Sequence, residues 1–304
     1  MDASKKEELV GRLRETVTQF YRKDGRHWKE PVIAMLRRLK EAQVDAVFFG
    51  GTLRSLLATR IVGKGHKRPR DVDIVISGNS MDSIREIVEK QIERTTRFGG
   101  LQVKEQNWQF DLWPVEKTWA FEKDGVSERS FEALPRTTFF NLEAIAVEVW
   151  PRPGKSRKVF AGNNQFFEGI IERLLEINRE DNPFPSLCVV RAFVLAHSLD
   201  FDFGPRLTEY IVKNGLHLTS SDLKDVQCSH YGKERMLSCE IVDSIRFLAD
   251  RFDVNTTNRT RLPKLRQRLF WEEGEMEGSH VKESPNVNLH VLASPSTPQA
   301  LSAT

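Results

Sequence analysis

Apolar residues recur at helical spacing through residues 4–22 and 28–43. In the second stretch Val32, Ile33, Met35, Leu36 and Leu39 fall near one face, with Arg37, Arg38 and Lys40 outside it. Both stretches therefore read as amphipathic helices, a helical leader over residues 1–44 that packs on the head of the molecule. Ala46-Val47-Phe48-Phe49 stops at Gly50-Gly51, and Leu53, Leu56 and Leu57 open a new helical period. This is a strand, a glycine turn and a helix. Asp71-Val72-Asp73-Ile74-Val75-Ile76 alternates as a strand buried on one face. Residues 80–94 predict a helix with Ile84, Ile87, Val88 and Ile92 inward, 101–103 and 108–114 a hairpin, and 144–150 a further strand. After Pro151-Arg152-Pro153-Gly154 the period changes, and helices are predicted at 165–177, 186–199, 205–214, 220–228 and 233–252, then a basic helix at 262–270. The fold class is α+β: a mixed-sheet head over 45–160 with flanking helices, followed by an all-helical domain over 161–271. Residues 272–304, acidic and then rich in Ser, Pro and Thr, predict a disordered tail.

Charge sharpens this picture. The chain of 304 residues carries a formal +3, but the tail holds five glutamates against Lys282, so it is −4 and the body is +7. A basic body suits an anionic partner such as an NTP or RNA. Three cysteines without regular spacing and no signal-like segment fit a reducing cytoplasm. No apolar run approaches the roughly 20 residues needed to span a bilayer, so no membrane partner is expected. Oligomeric state is not legible.

The candidate chemistry lies in the head. Side chains at i and i+2 of a strand share a face, so Asp71 and Asp73 form a two-carboxylate platform. Such acids repel unless a divalent cation lies between them, and hard oxygen ligands select Mg²⁺ or Mn²⁺. Asp111, within Gln109-Phe110-Asp111-Leu112-Trp113, is the candidate third ligand. Two-metal transfer of a phosphoryl or nucleotidyl group needs this set. Gly50 and Gly51 let the backbone approach a triphosphate at the helix N-terminus beginning near Thr52, and Arg54 lies one turn in. Gly63-Lys64-Gly65 lacks the spacing and terminal Ser or Thr of a P-loop. His217, Cys228, His230 and Cys239 are zinc-ligand types without zinc-site spacing, and read better as helix residues. Trp108, Trp113 and Trp119 read as core before they read as base-stacking groups, and the helix bearing Arg259, Arg261, Lys264, Arg266 and Arg268 as a solvated face before an RNA contact.

Phe49-Gly50-Gly51-Thr52-Leu53-Arg54 through Leu57, then Arg70-Asp71-Val72-Asp73-Ile74, resembles the head of class II tRNA nucleotidyltransferases and bacterial poly(A) polymerases. Phe140 to Ala146 resembles a further family segment, and Phe166 to Phe201 resembles the helical neck. The resemblance covers about residues 30–215 and implies a polymerase-beta-type fold, NTP as substrate and an RNA 3′ end, tRNA above all, as acceptor. It departs at Ser55, which stands where the family has an Asp. It departs again where the family's base-reading Glu-Asp-x-x-Arg falls on Phe184, Pro185 and Cys188. Arg191 matches a following family arginine and is the expected contact to the base. The resemblance thus implies retained transfer chemistry without standard CCA base selection. A toxin or defence enzyme modifying tRNA, protein or a small molecule, and a non-catalytic RNA-binding relative, stay open on sequence.

Overall fold

The computed structural model describes residues 3–22, 30–61, 69–77, 81–96, 99–124, 128–251 and 259–262. The chain divides into two compact units, Met1–Gln267 and Arg268–Thr304, and the second lies outside the described residues. Two amphipathic helices come first, α1 (Ala3–Arg22) and α2 (Glu30–Glu41). Their buried stripes, Leu9, Val10, Leu13, Val17 and Phe20 on α1 and Val32, Met35, Leu36 and Leu39 on α2, repeat every three to four residues. Phe20 packs with its ring centroid 5.9 Å from both Phe48 and Trp108, which fixes the leader against the sheet.

Seven strands form one mixed sheet in the order β3-β4-β5-β2-β1-β6-β7. They are β1 (Asp45–Phe49), β2 (Asp71–Ser77), β3 (Ile92–Thr95), β4 (Leu101–Glu105), β5 (Trp108–Pro114), β6 (Ala146–Glu148) and β7 (Val159–Phe160). The β2–β5 pair is parallel and the other pairs are antiparallel. Strand alternation sorts the side chains into two layers. Phe48, Val72, Ile74, Ile76, Phe110 and Leu112 point into the main core beneath the leader helices. Val47, Phe49 and Val75 point to a smaller cluster on the other face, the face that Asp71, Asp73 and Asp111 share. The helix α3 (Gly50–Ile61) starts directly from β1, and α4 (Met81–Val88) and α5 (Trp119–Asp124) complete the head.

The remaining helices are α6 (Gln165–Glu172), α7 (Pro185–Leu199), α8 (Pro205–Gly215), α9 (Ser220–Tyr231) and α10 (Ser238–Arg251). A two-stranded parallel ladder, β8 (Leu174–Leu175) with β9 (Asp202–Phe203), lies among them. One hydrophobic core runs from the leader through the sheet into α7, α8 and α10 without a break.

Three predicted helices are shorter than their periodicity suggested. The helix expected over 80–94 ends at Val88, because Ile92 and Thr95 pair with Val103 and Leu101 at the sheet edge. The helix expected over 165–177 ends at Glu172: Arg173 takes a left-handed φ of 54°, and Leu174 and Leu175 join the small ladder. The helix expected from 233 starts at Ser238, since Gly232 at φ 73° terminates α9. In each case tertiary pairing or a left-handed residue overrides an apolar period. The basic helix expected from 262 falls almost wholly outside the described residues, as does the tail. No described helix is long and apolar enough to cross a membrane.

Candidate active site

The sheet brings the predicted acids together. Asp73 and Asp111 are direct partners in the parallel β2–β5 register, and Asp71 lies on the same face two residues earlier. That placement comes from tertiary pairing, across 38 positions of chain that carry no sign of it.

Each carboxylate has a partner of its own. Asp71 accepts from the Arg70 guanidinium at 2.6 Å. Asp111 accepts from Gln102 Nε2 at 3.0 Å, its cross-strand neighbour on β4. Asp73 Oδ2 faces the first turn of α3, accepting from the Thr52 backbone N–H at 3.3 Å, while Thr52 Oγ1 accepts the Asp73 backbone N–H at 2.7 Å. Thr52 is fully buried and stitches α3 to β2 through these bonds. Burial and the facing charges of Asp111 and Asp71 push the Asp73 carboxyl up to about 7. Burial, with Asp71 opposing, likewise raises Asp111, although the Gln102 hydrogen bond works against the shift. With the acids turned to separate donors, no group of three His, Cys, Asp or Glu converges in metal-ligand geometry among the described residues. The donor set itself, three acids on one sheet face with one of them strained toward protonation, fits a hard divalent cation.

The glycine pair adjoins these acids. Gly50 has a left-handed φ of 52°, which turns β1 into α3 without an intervening loop. A Cβ on Gly51 would sit 3.3 Å from Asp73 Oδ2 and 3.5 Å from Arg54 Nη2, so only glycine leaves that approach open.

The two predicted arginines are held by one acid. Arg54 Nη1 and, at 2.5 Å, Arg191 Nη2 both donate to Glu143 Oε1. Glu143 is 7% exposed. Burial alone would raise its pKa, but the two guanidiniums outweigh it and hold the carboxyl below its ordinary value. Arg54 and Arg191 thus reach the cleft as members of an ion-paired triad. Glu143 was missed in the sequence. Its signal was a lone acid in the apolar run from Phe139 to Ala146, where a charge needs a buried partner.

These groups line a cleft of about 730 Å³ whose far wall comes from α7, the end of α9 and the loop beyond it. On that wall stand His230, which the sequence offered only as a zinc-ligand type, and Tyr231 and Arg235, which no local pattern marked. Arg70 Nη1 lies 3.3 Å from His230 Nε2. A guanidinium only donates, so Nε2 is the acceptor and the ring proton sits on Nδ1. Burial, helped by the Arg70 and Arg191 charges, lowers His230 to about 4, so it is neutral. Trp113 and Trp119 also line the cleft, whereas Trp108 is core.

Among solved structures the chain is similar to a CCA-adding enzyme in complex with CTP, with a TM-score of 0.51 and 15% identity over 77% of this chain and 55% of that one. It is similar to the Thermotoga maritima CCA-adding enzyme complexed with tRNA, at TM-score 0.50 and 15% identity over 78% of this chain and 53% of that one. It is also similar to a tRNA nucleotidyltransferase complexed with a primer tRNA and an incoming ATP analog, at TM-score 0.50 and 16% identity over 71% and 60%. It shares their fold. The chain spans a little over half the length of these proteins. No protein-family model matches the chain, and no curated protein matches it.

Three residues expected from the resemblance at a base-reading motif are Phe184, Pro185 and Cys188. Phe184 is 44% exposed, and Pro185 is the first residue of α7. Cys188 is 1% exposed, and burial pushes its thiol up to about 12. None of the three lines the cleft. The zinc-ligand types do not converge among the described residues: Cys228 and Cys239 are exposed and His230 turns to Arg70. Arg259 and Arg261 engage Asp202, and Arg261 also Asp200, while Lys264, Arg266 and Arg268 lie outside the described residues.

Proposed function

We propose that this protein is a template-independent nucleotidyltransferase that moves a nucleoside monophosphate from an NTP to an acceptor hydroxyl, an RNA 3′ end such as that of tRNA. The observation that carries the reading is the Asp73–Asp111 register, with Asp71 on the same face, opening into a cleft beside the Gly50-Gly51 turn. The likeness in fold to enzymes solved with CTP, tRNA and an ATP analog supports it.

Asp71, Asp73 and Asp111 would hold Mg²⁺ or Mn²⁺, which when bound neutralises the acids and the triphosphate and activates the nucleophile. The Gly50-Gly51 backbone admits the triphosphate to the N-terminus of α3, whose amides favour an anion there. The acceptor oxygen bonds to the α-phosphorus, the bond to the bridging oxygen breaks, and pyrophosphate leaves. Asp111 orients the hydroxyl. Arg54 and Arg191, fixed by Glu143, supply one net positive charge to the cleft.

The test is incubation of the full chain with each labelled NTP, Mg²⁺ and total RNA, resolved on a gel. Label transferred to an RNA band by the wild type, and lost in Asp73→Asn, is the expected result. No transfer with any of the four NTPs would overturn the reading.

A further inference from the structure

The cleft holds more arginine than its paired groups use. Among the described residues that line it, Arg54 and Arg191 share Glu143, Arg70 pairs with Asp71, and Lys117 lies 3.4 Å from Glu122. Arg235 has no such acid. Its Nε is buried and finds no hydrogen-bond partner, and the guanidinium contact it does make is with the Tyr231 ring, 5.5 Å from Cζ to centroid. A guanidinium on a cleft wall with no acid beside it leaves its positive charge to an anion from outside the chain.

The backbone around Arg235 is held in place. Gln227, fully buried on α9, accepts from the Arg235 and Met236 backbone N–H groups, each at 3.0 Å. Its amide nitrogen donates to Met236 O and Ser238 Oγ, again at 3.0 Å. All four bonds are made, so the loop between α9 and α10 is clamped and the root of Arg235 is fixed. Beside it the wall offers donors: His230 Nδ1–H, its Nε2 already facing Arg70, and the Tyr231 hydroxyl. Donors beside a planar cation without an acid match a phosphate in charge and in donor type.

We infer that Arg235, flanked by His230 and Tyr231, is a phosphate-binding subsite on the wall of the cleft formed by the end of α9 and the loop after it. It rests on the nucleotidyltransferase reading for the identity of its ligand, a phosphate of either the NTP or the acceptor strand.

Calorimetric titration of the full chain tests it, with inorganic tripolyphosphate, ATP, adenosine and a short single-stranded RNA as separate probes in Mg²⁺. Arg235→Gln should weaken tripolyphosphate and ATP by roughly tenfold or more and leave adenosine unchanged if the phosphate belongs to the NTP. If it belongs to the acceptor, the RNA affinity falls instead and its salt dependence flattens by about one ion. Arg235→Lys, which keeps the charge and loses the planar fork, should give a smaller loss, and its melting temperature shows that the loop is intact. Unchanged affinity for both tripolyphosphate and RNA in Arg235→Gln overturns the inference. Weakened phosphate binding in a protein that transfers no NTP would keep the subsite and remove the proposed function, so the two fail separately.

Discussion

Burial, together with the Asp111 and Asp71 charges, lifts the Asp73 carboxyl from 3.8 to about 7, so its ionised form is held against the preference of the fold. A carboxyl whose folded pKa lies above its unfolded value binds its proton more tightly when folded. Stability is therefore lost as pH climbs from 3.8 toward about 7. Asp73→Asn removes that penalty: without divalent cations the variant should melt above wild type at pH 8, and the gap should close as pH falls below 4. The same substitution should lower nucleotide transfer on the order of a thousandfold, through several kcal/mol of lost transition-state stabilisation. Thermal melts across pH and a transfer assay check both halves, and a variant with near-wild-type activity would refute the site. Asp71 and Asp73 were legible in sequence because the two-residue strand period is local. Asp111 was legible as a candidate, but its register with Asp73 was not. Nor was the partner of Arg54, an acid 89 residues away. Residue type and spacing suggest chemistry, while ion pairing across the fold decides which charges are free.

Between elements, Glu143 is the joint. It lies on a single turn of 3-10 helix, Asn141–Glu143, that packs against α3 and α6, and it joins Arg54 of α3 to Arg191 of α7. Glu143→Gln would leave two partly buried guanidiniums facing a neutral amide, and removing one partner of a buried pair costs up to about 3–5 kcal/mol. Urea unfolding should show a loss of that order, and a loss within experimental error would mean that solvent reaches the triad. The pH dependence has the opposite sign to that of Asp73. With its folded pKa held below 4.5, Glu143 contributes stability that is present above 4.5 and lost as pH falls through the folded value. Acid unfolding should therefore move to higher pH in the double Arg54→Met, Arg191→Met variant, and by more than in Arg54→Lys or Arg191→Lys. Elements with long, clean periods, such as α1, α2, α7 and β2, were legible from end to end within a few residues. The overestimated helices were those whose last apolar residues are claimed by a strand partner, as Ile92 is by Val103 and Leu175 by Phe203. Periodicity reports that a residue is buried, and only the neighbouring strand decides in which conformation.

At the scale of the molecule, leader, sheet and helices share one core, so the cleft between the acids and α9 is walled by parts that cannot move far apart without exposing it. Residues 274–304 offer no apolar period to that core, and their deletion should leave the melting temperature within a degree or two; unfolding on truncation would show the tail to be a docked element. The base is the remaining question for the whole cleft. Watson–Crick readout needs donor and acceptor atoms at fixed places, and the positions that resemble the base-reading motif supply an exposed Phe184, the ring of Pro185 and a core thiol at Cys188. A site built on hydrogen bonds rejects the wrong partner strongly, whereas shape and stacking discriminate by only a few kcal/mol. His230 and Tyr231 at the end of α9 and Arg235 in the loop after it, the group assigned above to a phosphate, lie away from those positions in sequence. The expected outcome, for tRNA lacking its terminal CCA offered each NTP in turn, is incorporation with a selectivity among the four that is weak and set by stacking on Trp113, Trp119 or Tyr231. Ordered addition of C, C and A that stops after three residues would refute the reading that Phe184, Pro185 and Cys188 stand where that family reads the base.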